Sequence, residues 1–190
     1  MNRIVLKDVS KSFGENKVLD KFCAEIPYGA RLCIMAPSGE GKTTLLNLIL
    51  GLITVDSGEI SGVPKNLSAV FQEDRLCESF TAVGNILAVC GDKKSINEIN
   101  ECLSLLGLEE SINQKVSELS GGMKRRVAIA RALMADGDLV VFDEPFKGLD
   151  DAMHKQTADV IMKYTKGKTL ILSTHDSLDS QLLNAEILYI

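Results

Sequence analysis

The stretch RLCIMAPSGEGKTTLLNLILGL, residues 31–52, decides the fold. RLCIM (31–35) is an apolar run that stops at Ala36-Pro37, and TTLLNLILGL, from Thr43, reads as a buried helix ending near Gly51. Between them lies a glycine-rich loop, APSGEGKTT, made of Ala36, Pro37, Ser38, Gly39, Glu40, Gly41, Lys42, Thr43 and Thr44. Strand, loop, helix is the geometry in which the strand ends of an α/β sheet carry a ligand site. Successive backbone N–H groups in such a loop form a concave anion site, and the following helix adds its positive end. Gly39 and Gly41 let the backbone approach phosphate oxygens with no Cβ in the way. Lys42 is then placed to neutralise phosphate charge and Thr43 to put its hydroxyl on Mg²⁺. The usual pattern is G-x-x-x-x-G-K-[ST], so Ala36 is the departure. Left-handed backbone there would cost alanine roughly 1–2 kcal/mol. The expectation is a negative φ at Ala36, because that residue only leaves the strand.

Outward from this loop, RIVLKDV (3–9) alternates apolar and polar residues and reads as a strand, and 18–26 offers another. VDSGEISGVP (55–64) is turn-rich, and NLSAVFQ (66–72) predicts a short strand. From about 73 the pattern turns helical: TAVGNILAVC is capped by Thr81, and SINEINECLSLLG carries a capping box at Ser95 and Glu98. In that second helix apolar residues recur at Ile96, Ile99, Leu103 and Leu106 before Gly107 stops it. GGMKRRVAIARALM follows Ser120 as a basic helix with an apolar stripe at Met123, Val127, Ala130 and Leu133. LVVFD (139–143) and TLILST (169–174) are continuous apolar runs, as buried parallel strands are; 151–165 forms a helix between them, and EILYI closes the chain. The fold class expected is therefore α/β, with a mixed, largely parallel sheet and a small inserted helical lobe.

Two further segments suit phosphate chemistry. Asp143 and Glu144 end an apolar strand, where an acidic pair lies beside a phosphate loop; Asp143 then suits Mg²⁺ and Glu144 a general base that orients water. LSGGM (119–123) opens the basic helix, with Ser120 as N-cap and Gly121 and Gly122 exposing N–H groups at the helix's positive end. That makes a second anion site in one chain.

The 190 residues are 45% hydrophobic and 25% charged, which excludes disorder, collagen and a disulfide scaffold. No apolar run approaches the roughly 18 residues of a membrane span, and MNRIVLKDVSKS has no signal-peptide stretch, so a soluble, cytosolic chain is expected. A net charge of −5 argues against a general nucleic-acid binder. The five cysteines, without a CxxC, read as small buried hydrophobes in a reducing compartment.

In order along the chain, the loop at 36–44, FQED (71–74), LSGGM (119–123), LVVFDEP (139–145), GLD (148–150) and STHD (173–176) resemble the nucleotide-binding subunits of ATP-binding cassette (ABC) transporters. The resemblance implies a P-loop NTPase core at 1–72 and 135–190 with a helical lobe at about 73–134, forming a single domain over 1–190. It implies ATP and Mg²⁺ as ligands and ATP hydrolysis coupled to transport. Phe13 then matches the aromatic that stacks on adenine, and Gln72 the glutamine that contacts Mg²⁺ and water. Ser120, Gly121 and Gly122 match the signature motif on the γ-phosphate of ATP held by a second subunit. Asp150 matches an aspartate at the dimer interface, and His175 the histidine that senses the γ-phosphate. Thr43, Gln72 and Asp143 are the implied metal contacts; Lys42, Gln72, Glu144 and His175 are the implied catalytic set. His154 matches nothing and is expected on a helix surface.

Departures are Met123 in place of the more usual glutamine, a short stretch between Gln72 and LSGG, a short hairpin region after Asp56, and an end 15 residues past His175. The resemblance further implies a homodimer or paired cassette, transmembrane permease subunits, an extracytoplasmic substrate-binding protein, and a place on the inner face of the cell membrane. FQEDRL with LSGGMKRRVAIARAL is most similar to importer cassettes of the nitrate, sulfonate and taurine type. Two other readings of the same residues are an ABC-type ATPase without a membrane partner and a nucleotide-dependent interaction module.

Overall fold

The computed structural model describes residues 2–37 and 39–190; Met1 and Ser38 lie outside the described residues. The long hairpin β1 (Arg3–Phe13) and β2 (Asn16–Pro27) pairs antiparallel, and β4 (Ser57–Ser61) adds to its other edge, giving a small sheet in the order β2-β1-β4. The turn-rich stretch 55–64 thus contains a strand. Its two glycines, Gly58 and Gly62, pass over the carbonyls of Asp8 and Arg3, where a Cβ would sit 2.3 and 2.1 Å away.

The second sheet is all parallel, β5-β6-β7-β3-β8, from β5 (Leu67–Val70), β6 (Leu139–Asp143), β7 (Thr169–Thr174), β3 (Arg31–Met35) and β8 (Glu186–Tyr189). The expected mixed sheet is therefore two sheets, with the antiparallel pairing confined to the smaller. Every residue of β6 and β7 is buried, as in a sheet covered on both faces. The period-2 alternation sorts their side chains. Leu139, Val141 and Ile171 join Ile4, Leu6 and Ile26 of the small sheet and Leu45, Leu46 and Ile49 of α1 (Lys42–Ile49) in one apolar cluster. Val140, Phe142, Leu170 and Leu172 point the other way.

That other cluster takes in α2 (Ala82–Cys90), α3 (Ile96–Leu105), α4 (Gly121–Met134) and α5 (Asp151–Tyr164) through Ile86, Ile99, Leu103, Val127, Ile129, Leu133 and Ile161. The caps form as expected: Thr81 accepts from Gly84 N, Ser95 and Glu98 complete the capping box, and Ser120 accepts from Met123 N. Ile96 is 48% exposed, so the apolar stripe of α3 begins at Ile99. A short helix, α6 (Ser177–Leu182), follows β7 and was not legible in the sequence. Cys33, Cys90 and Cys102 are buried, as expected of all five, but Cys23 and Cys77 are exposed. Burial pushes the thiols of Cys33 and Cys102 up to about 12.

Candidate active site

Strands β6, β7 and β3 are neighbours in the parallel sheet, with Asp143 in register with Ser173 and Met35 with Thr174. Their C-terminal ends therefore deliver three segments to one rim: the glycine-rich loop after β3, Asp143-Glu144 after β6, and His175 after β7. Adjacent parallel strand ends are where an α/β sheet opens a crevice.

In the loop, Gly39 has φ 87° and Gly41 has φ 96°, left-handed conformations natural to glycine. A Cβ on Gly41 would also meet Val18 Cγ1 at 2.6 Å. Ala36 is absent from the described non-glycine residues with positive φ, so it leaves the strand without strain, as expected. Lys42 is buried, and its ammonium donates to the carbonyls of Ala36 at 2.7 Å and Pro37 at 3.1 Å, spanning the loop from below. Glu40 is exposed and Thr44 half-buried at the start of α1. Gly39 and Glu40 line a cleft of about 270 Å³ with Asn16, Lys17, Val18 and Ile190. Phe13, paired with Asn16 across the hairpin and 52% exposed, presents its ring at the same end of β1. Asp56 fixes that strand end: it accepts from Lys11 Nζ at 2.6 Å and from Ser12 N at 2.7 Å. These contacts hold its carboxyl below the ordinary aspartate range, the Lys11 hydrogen bond most of all.

Asp143 is buried, with one carboxylate oxygen accepting from Thr43 Oγ1 at 2.7 Å and the other from Ser173 Oγ at 2.5 Å. A hydroxyl and a carboxylate in contact are hard oxygen donors of the kind Mg²⁺ prefers. No cluster of three or more His, Cys, Asp or Glu able to hold a metal occurs among the described residues. The pair therefore fits an ion that brings its remaining oxygens from water and a phosphate ligand, as Mg²⁺ commonly does. Glu144 follows with φ 50°, its N–H donating to Ser173 Oγ at 3.0 Å, which turns its side chain out of the strand direction. Its carboxylate lies 3.7 Å from Lys147 Nζ.

Glu144, His175, Phe146, Lys147 and Gly148 line a cavity of about 240 Å³. His154 also lines it, against expectation. Its ring stacks on Phe146 with centroids 4.2 Å apart, and Nε2 lies 2.6 Å from Asp179 Oδ1. It is thus a packed bridge between α5 and α6, not a surface residue: the helix turns it inward because Asp179 waits on the facing helix. Asp179 also accepts from Thr174 Oγ1, beside His175. Burial raises the Asp179 carboxyl, opposed by the Thr174 hydrogen bond and by His154. No spacing rule would have joined residues 154 and 179. Asp150 caps α5 by accepting from Met153 N at 2.9 Å.

Gln72 and His175 are exposed at the rim, and Ser120 and Gly121 are exposed at the start of α4, whereas Leu119 packs inward. The glycine-rich loop, at Gly39 and Glu40, and the start of α4, at Ser120 and Gly121, thus both carry exposed residues. No helix among the described residues is long and apolar enough to cross a membrane.

The model of the family described as ABC transporter matches residues 19–147. The Nod factor export ATP-binding protein I of Rhizobium etli is 37% identical over 192 residues, covering 92% of this chain and 61% of that protein. The aliphatic sulfonates import ATP-binding protein SsuB 1 of Paracoccus denitrificans is 32% identical over 190 residues, covering 97% of this chain and 78% of that protein. The chain thus spans less than two thirds of the Rhizobium relative's length. Among solved structures, a dimeric structure of MJ0796, a bacterial ABC transporter cassette, superposes with TM-score 0.86 at 31% identity, covering 98% of this chain and 94% of that one. The same cassette in a post-hydrolysis state bound to ADP and Pi superposes equally well, at 30% identity.

Proposed function

The chain belongs to the ABC transporter family, and on that premise we propose that it is the ATP-hydrolysing subunit of a transporter, working as a head-to-tail dimer. The observation that carries this reading is the meeting of Thr43 and Asp143 at 2.7 Å, with Glu144 next along the chain and His175 just past the end of the neighbouring strand. The triphosphate lies on the backbone N–H groups from Gly39 to Thr44. Lys42 exchanges its two carbonyl partners for phosphate oxygens. Phe13 packs on the base. Thr43, Asp143 and Gln72 would hold Mg²⁺, which would supply neutralisation of charge developing on the phosphate oxygens. Glu144 orients water and accepts its proton as the water oxygen bonds to the γ-phosphorus and the bond to ADP breaks. His175 contacts the γ-phosphate.

One chain carries one phosphate loop and one signature loop. Ser120, Gly121 and Gly122 therefore serve the ATP of a second chain, with Asp150 at the interface between them. ATP favours the closed dimer because only there does its γ-phosphate meet both loops, and a ligand shifts an equilibrium only by such differential affinity. Hydrolysis removes that bridge. The segment 73–134 acts as a helical lobe on a core of 1–72 and 135–190, and passes opening and closing to permease subunits from the cytoplasmic face of the membrane. The sulfonate-import relative supports an importer, and an extracytoplasmic binding protein is part of the same proposal.

Phosphate release by the purified chain tests the reading. Wild type hydrolyses ATP with Mg²⁺ present. Glu144→Gln binds ATP, releases no phosphate above background, and elutes as a dimer with ATP but not with ADP. A Glu144→Gln variant that still turns over, or that stays monomeric with saturating ATP, overturns it.

A further inference from the structure

The chain leaves β5 at Val70 and reaches α2 only at Ala82. Residues 71–75 of this crossing belong to no helix or strand, yet four of their carbonyls are captured by two arginines of α4. Arg125 donates to Phe71 O at 2.6 Å and to Gln72 O at 3.0 Å. Arg131 donates to Arg75 O at 2.7 Å and to Asp74 O at 2.9 Å. The Asp74 carboxylate lies 3.1 Å from Arg125 Nη1, and the Arg75 guanidinium lies 3.9 Å above the Phe71 ring.

Arg125 is only 5% exposed, whereas Gln72 is exposed. A buried guanidinium is tolerated only when its donors are met. Here they are met by the main chain of Gln72 and its neighbours, so the backbone of Gln72 is held while its side chain stays free to reach a ligand. Arginine's rigid planar fork can seize two successive carbonyls at once; a lysine ammonium cannot reproduce that geometry. On the same helix, Arg125 stands five residues after Ser120, the N-cap of α4. Within a helix those five residues form one stiff rod. The seat of Gln72 and the position of the signature loop are therefore fixed to each other.

Resting on the proposed dimer, in which Gln72 serves the chain's own nucleotide and Ser120 its partner's, we infer that Arg125 is a positioning residue that couples the two nucleotide sites. When the signature loop settles on one γ-phosphate, α4 carries the Gln72 backbone with it and sets that amide at the other. Arg125 touches neither nucleotide. It makes occupation of one site felt at the second.

Steady-state ATPase assays on wild type, Arg125→Gln, Arg125→Lys, Gln72→Ala and the Arg125→Gln/Gln72→Ala double variant test this. Two coupled sites give the wild type a Hill coefficient for ATP above 1, with a ceiling of about 2. Arg125→Gln is expected to lower kcat about tenfold and bring the Hill coefficient closer to 1 than in the wild type, while ADP affinity of the monomer stays within about twofold. Arg125→Lys restores neither. The double variant turns over no more slowly than Gln72→Ala alone, because Arg125 acts through Gln72. If Arg125→Gln keeps its Hill coefficient, or if the two losses multiply, the inference is overturned. If Arg125→Gln does not fold, Arg125→Lys, which keeps the cation, carries the same two readouts. Absence of turnover in the wild type overturns the transport-ATPase reading itself. Turnover in the wild type with multiplying losses overturns only the coupling.

Discussion

Thr43 and Asp143, 100 positions apart in sequence, share a hydrogen bond of 2.7 Å, and Ser173 holds the other oxygen of the same carboxylate at 2.5 Å. The ends of two strands and the start of α1 thus converge on one buried acid. Asp143→Asn keeps the shape but loses the charge that a divalent cation needs. Turnover should fall on the order of 10²-fold, the usual loss when one electrostatic contact to a phosphoryl transition state is removed. The Mg²⁺ concentration giving half-maximal rate should rise, and a Mg²⁺ titration of phosphate release checks both.

Lys42 donates to two loop carbonyls, Ala36 O and Pro37 O. A triphosphate offers its ammonium charged acceptors instead, and a charge-assisted hydrogen bond is worth about 1.5–3 kcal/mol. Lys42→Ala should therefore weaken ATP binding roughly 10- to 100-fold. Calorimetric titration of ATP into Glu144→Gln and into Glu144→Gln/Lys42→Ala compares the two affinities without hydrolysis.

Asp179, held by Thr174 and His154, is a pH-dependent element. Burial, the largest influence, raises the Asp179 carboxyl above its ordinary value, and the Thr174 hydrogen bond and His154 partly restrain it. His154→Ala removes one restraint, so the carboxyl rises further. A raised acid contributes stability that is complete below the ordinary aspartate value of about 3.9 and lost as pH climbs through the raised value. The variant's deficit against wild type should accordingly be larger at pH 7 than at pH 5. Leaving a buried acceptor unpaired costs about 1–3 kcal/mol, which sets its size at neutral pH. Urea unfolding of both proteins at the two pH values measures the gap.

The cysteines divide by burial. Cys23 and Cys77 are exposed, while Cys33, Cys90 and Cys102 are enclosed in the apolar clusters. A maleimide at neutral pH should add two labels to the native protein and five after denaturation, read by intact mass. Labelling of Cys33 or Cys102 at the native rate would contradict the packing of β3 and α3.

Much of this architecture is readable from the sequence alone. The buried runs LVVFD and TLILST form strands, and the caps at Thr81, Ser95 and Ser120 form, because both signals are local: each run is continuous and each cap's partner lies within four residues. The glycine-rich loop and the acidic pair Asp143-Glu144 stand out in the sequence as candidates because the chemistry proposed for them dictates spacing, and the fold brings them to one rim. What escaped was non-local. The strand at 57–61 is hidden by glycines whose need arises from the carbonyls of Asp8 and Arg3 above them. His154 reads as a helix-surface histidine until Phe146 and Asp179 are seen against it. The capture of Phe71 and Gln72 by Arg125 joins residues more than 50 apart, and no periodicity announces it.

Glu144 stands in a left-handed backbone conformation, φ 50°, at the end of a fully buried strand. That geometry costs a side-chain-bearing residue roughly 1–2 kcal/mol, and glycine almost nothing. Glu144→Gly should thus resist thermal unfolding at least as well as the parent while being inert. The fold carries its tension at the very residue assigned to the chemistry, so sequences selected for robustness alone would drift away from glutamate here.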